Sequence, residues 1–157
     1  MSHTSPRRHF ADKQALLDAL ALHGYERLGL TLGRAAKDQG KTFDARLTKL
    51  ARAYVGFAVK HPALLALMSE AKHRPDAPRE LLEASEEALA HTLAVFAAGQ
   101  AKGAVVPGDP LRLALVAFAA LQGLVALSTD GKFKGAPLDR MIGEIIERII
   151  LGLRPRD

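Results

Sequence analysis

The 157-residue sequence contains no cysteine, which excludes disulfides, thiol chemistry and metal sites built from thiolates. Aromatic residues are scarce at 5%, whereas 48% of residues are apolar, with much alanine and leucine. There is no internal repeat and no strand-like alternation of polar and apolar residues bounded by turns. The sequence therefore predicts one all-α domain, and a chain of this length can bury a substantial core.

The N-terminus also lacks the features of a secretory signal. The opening residues read MSHTSPRRHF, and no apolar run follows the two arginines. We therefore expect a cytoplasmic protein. The net charge of +5 and the pI near 9.7 permit a nucleic-acid partner, but they are weak evidence because many soluble proteins are mildly basic.

No set of residues with catalytic or metal-binding spacing is visible. The six histidines are scattered without the spacing of metal ligands. No nucleophile, base and acid can be grouped by spacing either. The sequence thus predicts that the protein is not an enzyme and that it holds no metal or cofactor.

The most apolar stretch is Leu111–Leu127, which only Arg112 and Gln122 interrupt. The pair Asp109-Pro110 in front of it is typical of a helix start, with an N-cap followed by proline at the first helical position. The stretch is shorter than the roughly 20 residues that a bilayer requires, which favours burial in protein. We expect the rest of the chain to be organised around this helix.

A second strongly apolar helix is predicted at the C-terminal end, from Leu138 to Leu153. Two such helices exceed what one small core needs, so we expect a homodimer through residues 109–130 and 137–153, built as a four-helix bundle. A monomer is the alternative. Ala119 and Gly123 lie one turn apart and would let a second helix approach closely.

The remaining pattern predicts further helices, beginning with a long one from Asp12, as N-cap, to about Lys37. Gly24, Gly29 and Gly33 lie within it, and because glycine disfavours helix we expect it to bend or to be loosely held. The other helices are predicted at 44–60, at 62–71 and from 78 to about 98.

Seven residues are candidates to line an internal cavity for a small, largely apolar molecule: Phe57, His61, Met68, His91, Phe96, Phe118 and Gln122. For each one, filling the core is the alternative. Gln122 fits that alternative least well, because a buried amide needs a hydrogen-bond partner. A ligand, a water or an amide across a dimer would supply one.

The segment Ser2–Leu17 carries a more specific pattern, SHTSPRRHFADKQALL. It resembles the end of the helix-turn-helix in the tetracycline-repressor (TetR) family of bacterial regulators, with the spacing kept throughout. Pro6 takes the place of an apolar residue, and Arg7 stands where tyrosine is usual. The matching residues are Ser2, His9, Phe10, Lys13, Leu16 and Leu17.

The rest of the chain is similar to the ligand-binding domain of one branch of that family. That branch has a Trp-x-x-x-His-Gly pattern in its penultimate long helix, where this chain has Phe118, Gln122 and Gly123. The segment Tyr54–Met68 resembles the helix-His-Pro-helix segment of the same branch.

The resemblance implies two parts: residues 1–11 as the remnant of a helix-turn-helix DNA-binding domain, and residues 12–157 as the effector-binding and dimerisation domain. Ser2–Arg8 would belong to the recognition helix, with His3 and Thr4 as candidates for base contacts. Arg7, Arg8 and Lys13 would contact phosphates, which position the protein without specifying sequence.

The resemblance implies a ligand-responsive transcriptional regulator, which we expect to be a repressor. Its partners would be operator DNA and a small apolar effector that shifts the 12–37 helix. Family members have two more helices before this motif, so we expect the natural protein to be longer and DNA binding by this chain to be impaired. The alternative is a stand-alone helical carrier or interaction module without DNA binding.

Overall fold

A computed structural model describes residues 6–37, 42–132, 135 and 137–155, with side chains from residue 11 onward. This part of the chain contains helices and no strand, so the all-α prediction is confirmed. The six helices are α1 (Pro6–Ala36), α2 (Phe43–Lys60), α3 (Pro62–Lys72), α4 (Arg79–Ala101), α5 (Pro110–Thr129) and α6 (Leu138–Leu153).

Helix α1 starts earlier than the sequence pattern predicts. It begins at Pro6 and continues without interruption past Asp12, so the prediction that Asp12 is its N-cap is wrong. Proline suits the first helical turn, because its φ is already helical and its missing N–H has no partner there in any case. The start signal at Pro6 therefore precedes the one expected at Asp12.

The packing of α1 against α4 forms the main contact of the fold, and α1 also contacts α3 and α2. All three of its glycines are buried in these contacts. A Cβ at Gly29 would lie 3.7 Å from the Cα of Ala88, and a Cβ at Gly33 would lie 3.0 Å from Nε2 of His91. These glycines let α4 approach closely, so they serve a packing role that the sequence pattern did not indicate.

Helix α5 is not the centre of the fold in a single chain, contrary to the prediction. Its Asp109 cap is confirmed, because the carboxylate accepts from the backbone N–H of Leu111 at 2.9 Å. Only a narrow side of it is buried, and the largest fully buried side chains include Phe96 and Met68 from other helices. The buried residues of α5 are Ala114, Ala117, Leu121 and Leu124.

Within the described residues, α5 is also the one helix long and apolar enough to span a membrane by length and composition. A single helix of this kind is weak evidence, since the core helix of a soluble protein passes the same test.

The loop after α3 is tied to α1 by a charged cluster. Arg74 donates two hydrogen bonds to the carboxylate of Asp18, at 2.6 and 3.2 Å, and Gln14 donates a third at 3.0 Å. The side chains of Arg74 and Asp18 are only 21% and 15% exposed. The hydrogen bond from Arg74 holds the pKa of Asp18 below its ordinary value. The loop therefore fixes the N-terminal half of α1.

We predict that Asp18→Asn lowers the free energy of unfolding by roughly 1–2 kcal/mol at pH 7, because it removes the charge from a largely buried pair. Since the folded-state pKa of Asp18 is lowered, this stabilisation is present above the ordinary value of 3.8 and disappears as the pH falls through the folded-state pKa. Urea denaturation of both proteins from pH 7 to pH 3 measures it.

Asp76→Asn is the matched control, because Asp76 contacts the same arginine at 3.0 Å but is 78% exposed. Its effect should be clearly smaller. An equal loss of stability in the two variants would contradict a specific role for Asp18.

We predict opposite outcomes for alanine at two glycines of α1. Gly29→Ala should raise the free energy of unfolding by up to about 1 kcal/mol, because a Cβ there makes ordinary contacts and alanine favours helix. Gly24→Ala should lower it by about 1–3 kcal/mol, because its Cβ would lie 2.5 Å from the buried Sδ of Met68. Thermal and urea denaturation of both variants test this, and a stabilising Gly24→Ala would show that Met68 has room to move.

Candidate dimer interface and effector site

The outer side of α5 carries a row of exposed apolar side chains. Leu111, Leu115, Val116, Phe118 and Leu127 are between 39% and 61% exposed. Leu111, Leu115 and Phe118 recur at helical spacing, whereas Val116 and Leu127 lie further round the helix, with Ala119 and Gly123 between the two rows. A contiguous exposed apolar face commonly marks an interaction site.

Smaller residues on the same side leave space between these side chains. Ala119 and Gly123 are exposed, and a Cβ added at Gly123 would meet no atom within 4 Å. Gln122 is exposed as well, so its amide needs no buried partner within a single chain. The space that the sequence predicts for a second helix is thus open on the outside of α5.

Helix α6 contributes less to this face than its composition suggests. Ile142, Ile146, Ile150 and Leu153 are buried within the same chain, where α6 contacts α2 and α5. Its half-buried residues include Met141, Ile145 and Ile149, and Leu151 is exposed. The apolar stripe of α6 therefore serves mainly the core of its own subunit.

The seven candidate ligand residues are not gathered around one cavity. The rings of Phe57 and His61 pack in a tilted arrangement with centroids 5.2 Å apart, and His61 Nε2 lies 3.5 Å from a guanidinium nitrogen of Arg27. Met68 is fully buried beneath Gly24 of α1. This group lies where α1, α2 and α3 meet.

The other four candidates lie elsewhere. Phe96 is fully buried and packs edge-on against Phe43, with centroids 5.4 Å apart. His91 is half-buried on α4, and Phe118 and Gln122 are on the exposed side of α5. Their common role in ligand binding stays a prediction.

Two open depressions are present beside these residues. A groove of about 520 Å³ runs between α1 and α4, and His91 and Leu30 are among the residues that line it. A cavity of about 350 Å³ lies between the start of α2 and the end of α4, next to Phe43.

Tyr54 is a residue of interest that the sequence pattern indicates only as part of a core stripe. It is 6% exposed, and its ring packs against Phe118 with centroids 5.2 Å apart. Its hydroxyl is buried and has no hydrogen-bond partner in the described part of the chain. Burial, with a smaller contribution from the charge of Tyr25, raises the pKa of Tyr54 to about 12.

The candidate DNA-contacting residues fall at or beyond the edge of the described chain. Ser2, His3 and Thr4 lie outside it, whereas Arg7 and Arg8 belong to the first turn of α1. Lys13 is exposed on α1. The division between residues 1–11 and 12–157 stays a prediction, and the helix itself is continuous across it.

Comparison with known proteins identifies the fold. Residues 47–153 match the family model described as "Tetracyclin repressor-like, C-terminal domain". The chain belongs to this TetR-like family. No curated protein matches this TetR-like chain.

One similar solved structure is titled "Structure of a protein with unknown function from Rhodococcus sp. RHA1". It is 41% identical to this TetR-like chain with a TM-score of 0.87, and the match covers 99% of this chain and 80% of that one. TetR-like domains generally dimerise and bind small-molecule effectors, and they are typically not enzymes. Among the described residues there is also no group of three His, Asp or Glu side chains placed to hold a metal ion.

We predict that tyrosinate absorbance stays low in the folded protein near pH 10, because burial raises the pKa of both tyrosines, Tyr25 and Tyr54. Since the folded-state pKa of Tyr54 is raised, its contribution to stability is complete below pH 10 and disappears as the pH rises to about 12. An ultraviolet pH titration of native and urea-unfolded protein measures the difference.

Tyr54→Phe should remove much of this alkaline loss of stability. At pH 7 it should change the free energy of unfolding by less than about 1 kcal/mol, because the lost hydroxyl has no partner among the residues that the structure describes. A larger destabilisation at pH 7 would show that the hydroxyl is satisfied in solution.

Proposed function

We propose that this protein is a ligand-responsive transcriptional regulator that acts as a repressor. Residues 12–157 would form the domain that dimerises and binds a small, largely apolar effector. Membership of the TetR-like family supports the general class. The observation that carries the proposal is the apolar outer face of α5, because a regulator of this class needs two subunits to hold two DNA readers at a fixed distance.

The proposed dimer forms through residues 109–130 and 137–153. The outer face of α5 would supply most of the contact, and the half-buried edge of α6, with Met141, Ile145 and Ile149, would complete it. Ala119 and Gly123 would allow the two copies of α5 to approach closely. In this arrangement Gln122 would lie near the dimer contact, where a second amide can pair with it.

The proposed signal travels through α1. Residues 1–11 would belong to the DNA reader, and operator DNA would be contacted by Ser2, His3, Thr4, Arg7 and Arg8 together with Lys13 just after it. The remainder of α1 packs on α2, α3 and α4. An effector with different affinities for two placements of α1 would therefore change the spacing of the two readers, which must match one DNA turn of about 34–36 Å. Such a regulator would act in the cytoplasm.

We predict that the protein sediments as a dimer at micromolar concentration and that Leu115→Glu converts it to a monomer. Leu115 lies in the middle of the α5 face and is 51% exposed, so a carboxylate there would be desolvated against apolar side chains in the dimer. Sedimentation velocity over a concentration series measures the dissociation constant, which should rise at least 100-fold.

Leu30→Glu is the matched control, because Leu30 is a leucine of α1 that is 63% exposed and lies away from α5. It should leave the dimer intact. A wild-type monomer, or equal dissociation of both variants, would contradict the proposed interface.

A further inference from the structure

The cavity between α2 and α4 combines an apolar wall with a cationic end. Phe43, Val95 and Ala98 provide apolar wall, whereas Arg46, Lys102 and Thr42 provide polar groups. Its volume of about 350 Å³ is at the small end of the range for ligand sites. The cavity is therefore suited to a small amphiphilic molecule with a negative charge.

Arg46 has a hydrogen-bond donor, its Nε–H, that no acceptor in the described segments uses. One terminal nitrogen of its guanidinium donates to the carbonyl of Ala36 at 3.0 Å, but its Nε–H is buried and has no acceptor in the described part of the chain. A buried donor without a partner is costly, and such groups are rare in folded proteins. The free Nε–H therefore requires an explanation.

No carboxylate neutralises the cations of this cavity among residues 42–132 and the other described segments. Neither Arg46 nor Lys102 forms an ion pair there, and the nearby Asp44 is paired with Arg154 at 3.1 Å. The uncompensated positive charge favours an anion.

The start of α2 adds to this preference. The Thr42 hydroxyl caps the helix by accepting from the backbone N–H of Ala45 at 3.3 Å, so Thr42 lies at the positive end of an 18-residue helix. Free N–H groups in the first turn of a helix and a guanidinium nearby are groups that commonly bind a carboxylate.

We propose that this cavity binds a small organic acid, whose carboxylate is held by Arg46 and Lys102 and whose apolar body packs against Phe43 and Ala98. A carboxylate with a hydrocarbon body fits better than an inorganic anion, because much of the wall is apolar. For its carboxylate to reach the buried Nε–H, the guanidinium of Arg46 would shift toward the cavity.

Binding in the cavity would also affect α1 through Arg46, and this step rests on the proposed function. Arg46 donates to Ala36, which is the last residue of α1. A carboxylate that draws the guanidinium toward the cavity would change this hydrogen bond at the C-terminal end of α1. The N-terminal end of the same helix leads to the proposed DNA reader. The organic acid would then be the effector of the regulator.

The test is a titration of the full chain with octanoate, followed by amide chemical shifts and by calorimetry. We expect saturable binding, with shift changes concentrated at residues 42–46, 95–104 and 35–37. 1-Octanol, which has the same hydrocarbon body without the charge, should bind at least tenfold more weakly, and inorganic phosphate should also bind at least tenfold more weakly.

Two variants locate the site. Lys102→Gln, at an exposed position, should weaken octanoate binding at least threefold, and Ala98→Leu, which fills the cavity, should weaken it at least tenfold. Lys60→Gln is the control, because Lys60 is an exposed lysine at the other end of α2. This variant should bind octanoate as tightly as the wild type does.

Absence of saturable octanoate binding, shift changes away from the cavity, or equal affinity for 1-octanol would overturn the proposal. Phosphate binding as tight as that of octanoate would overturn the apolar part of the site. Sedimentation of the same samples separates the two proposals, because a dimer that does not bind octanoate leaves the proposed function standing and removes only this site.

Discussion

The close crossing of α1 and α4 is the constraint on which the rest of the fold depends. At Gly29 the two backbones approach until a Cβ would be in van der Waals contact with Ala88, and Gly33 leaves room for the ring of His91. Glycine in a helix costs stability, and here the cost is offset by the packing that the close approach allows. With this pair fixed, α2 and α3 close one side of the core, and Arg74 and Asp18 fasten the loop after α3 to α1.

Helix α5 shows the opposite situation, since its apolar surface exceeds what its own chain covers. Its inner side carries the small residues Ala114 and Ala117 beside two leucines, whereas its outer side presents large exposed residues. This distribution is what a helix shared between two subunits requires, because close packing inside leaves the larger side chains for the partner. The TetR-like family generally dimerises, and the α5 face is the surface that we propose for this contact.

Among the residues that the structure describes, two buried polar groups have no hydrogen-bond partner, and both lie where α2 meets other helices. The hydroxyl of Tyr54 is next to Phe118 of α5, and the Nε–H of Arg46 is next to the end of α1. Helix α2 therefore contacts both the surface proposed for dimerisation and the helix proposed to reach DNA. A molecule that satisfied either group would change the packing of α2, which makes α2 a physically reasonable place for effector binding to act.

Much of the fold could be predicted from the sequence because helical periodicity, proline and capping residues act locally. The all-α class, the break at His61-Pro62 and the Asp109 cap follow from neighbouring residues alone, and the pattern around Phe10 and Lys13 pointed to the family. The sequence did not determine which apolar helix lies at the centre, because an apolar stripe is the same whether its own chain or a second subunit covers it. Nor did it reveal that the seven candidate ligand residues are dispersed, or that Tyr54 and Arg46 keep unpartnered groups. Those features depend on which residues meet across helices, and only the tertiary structure brings such residues together.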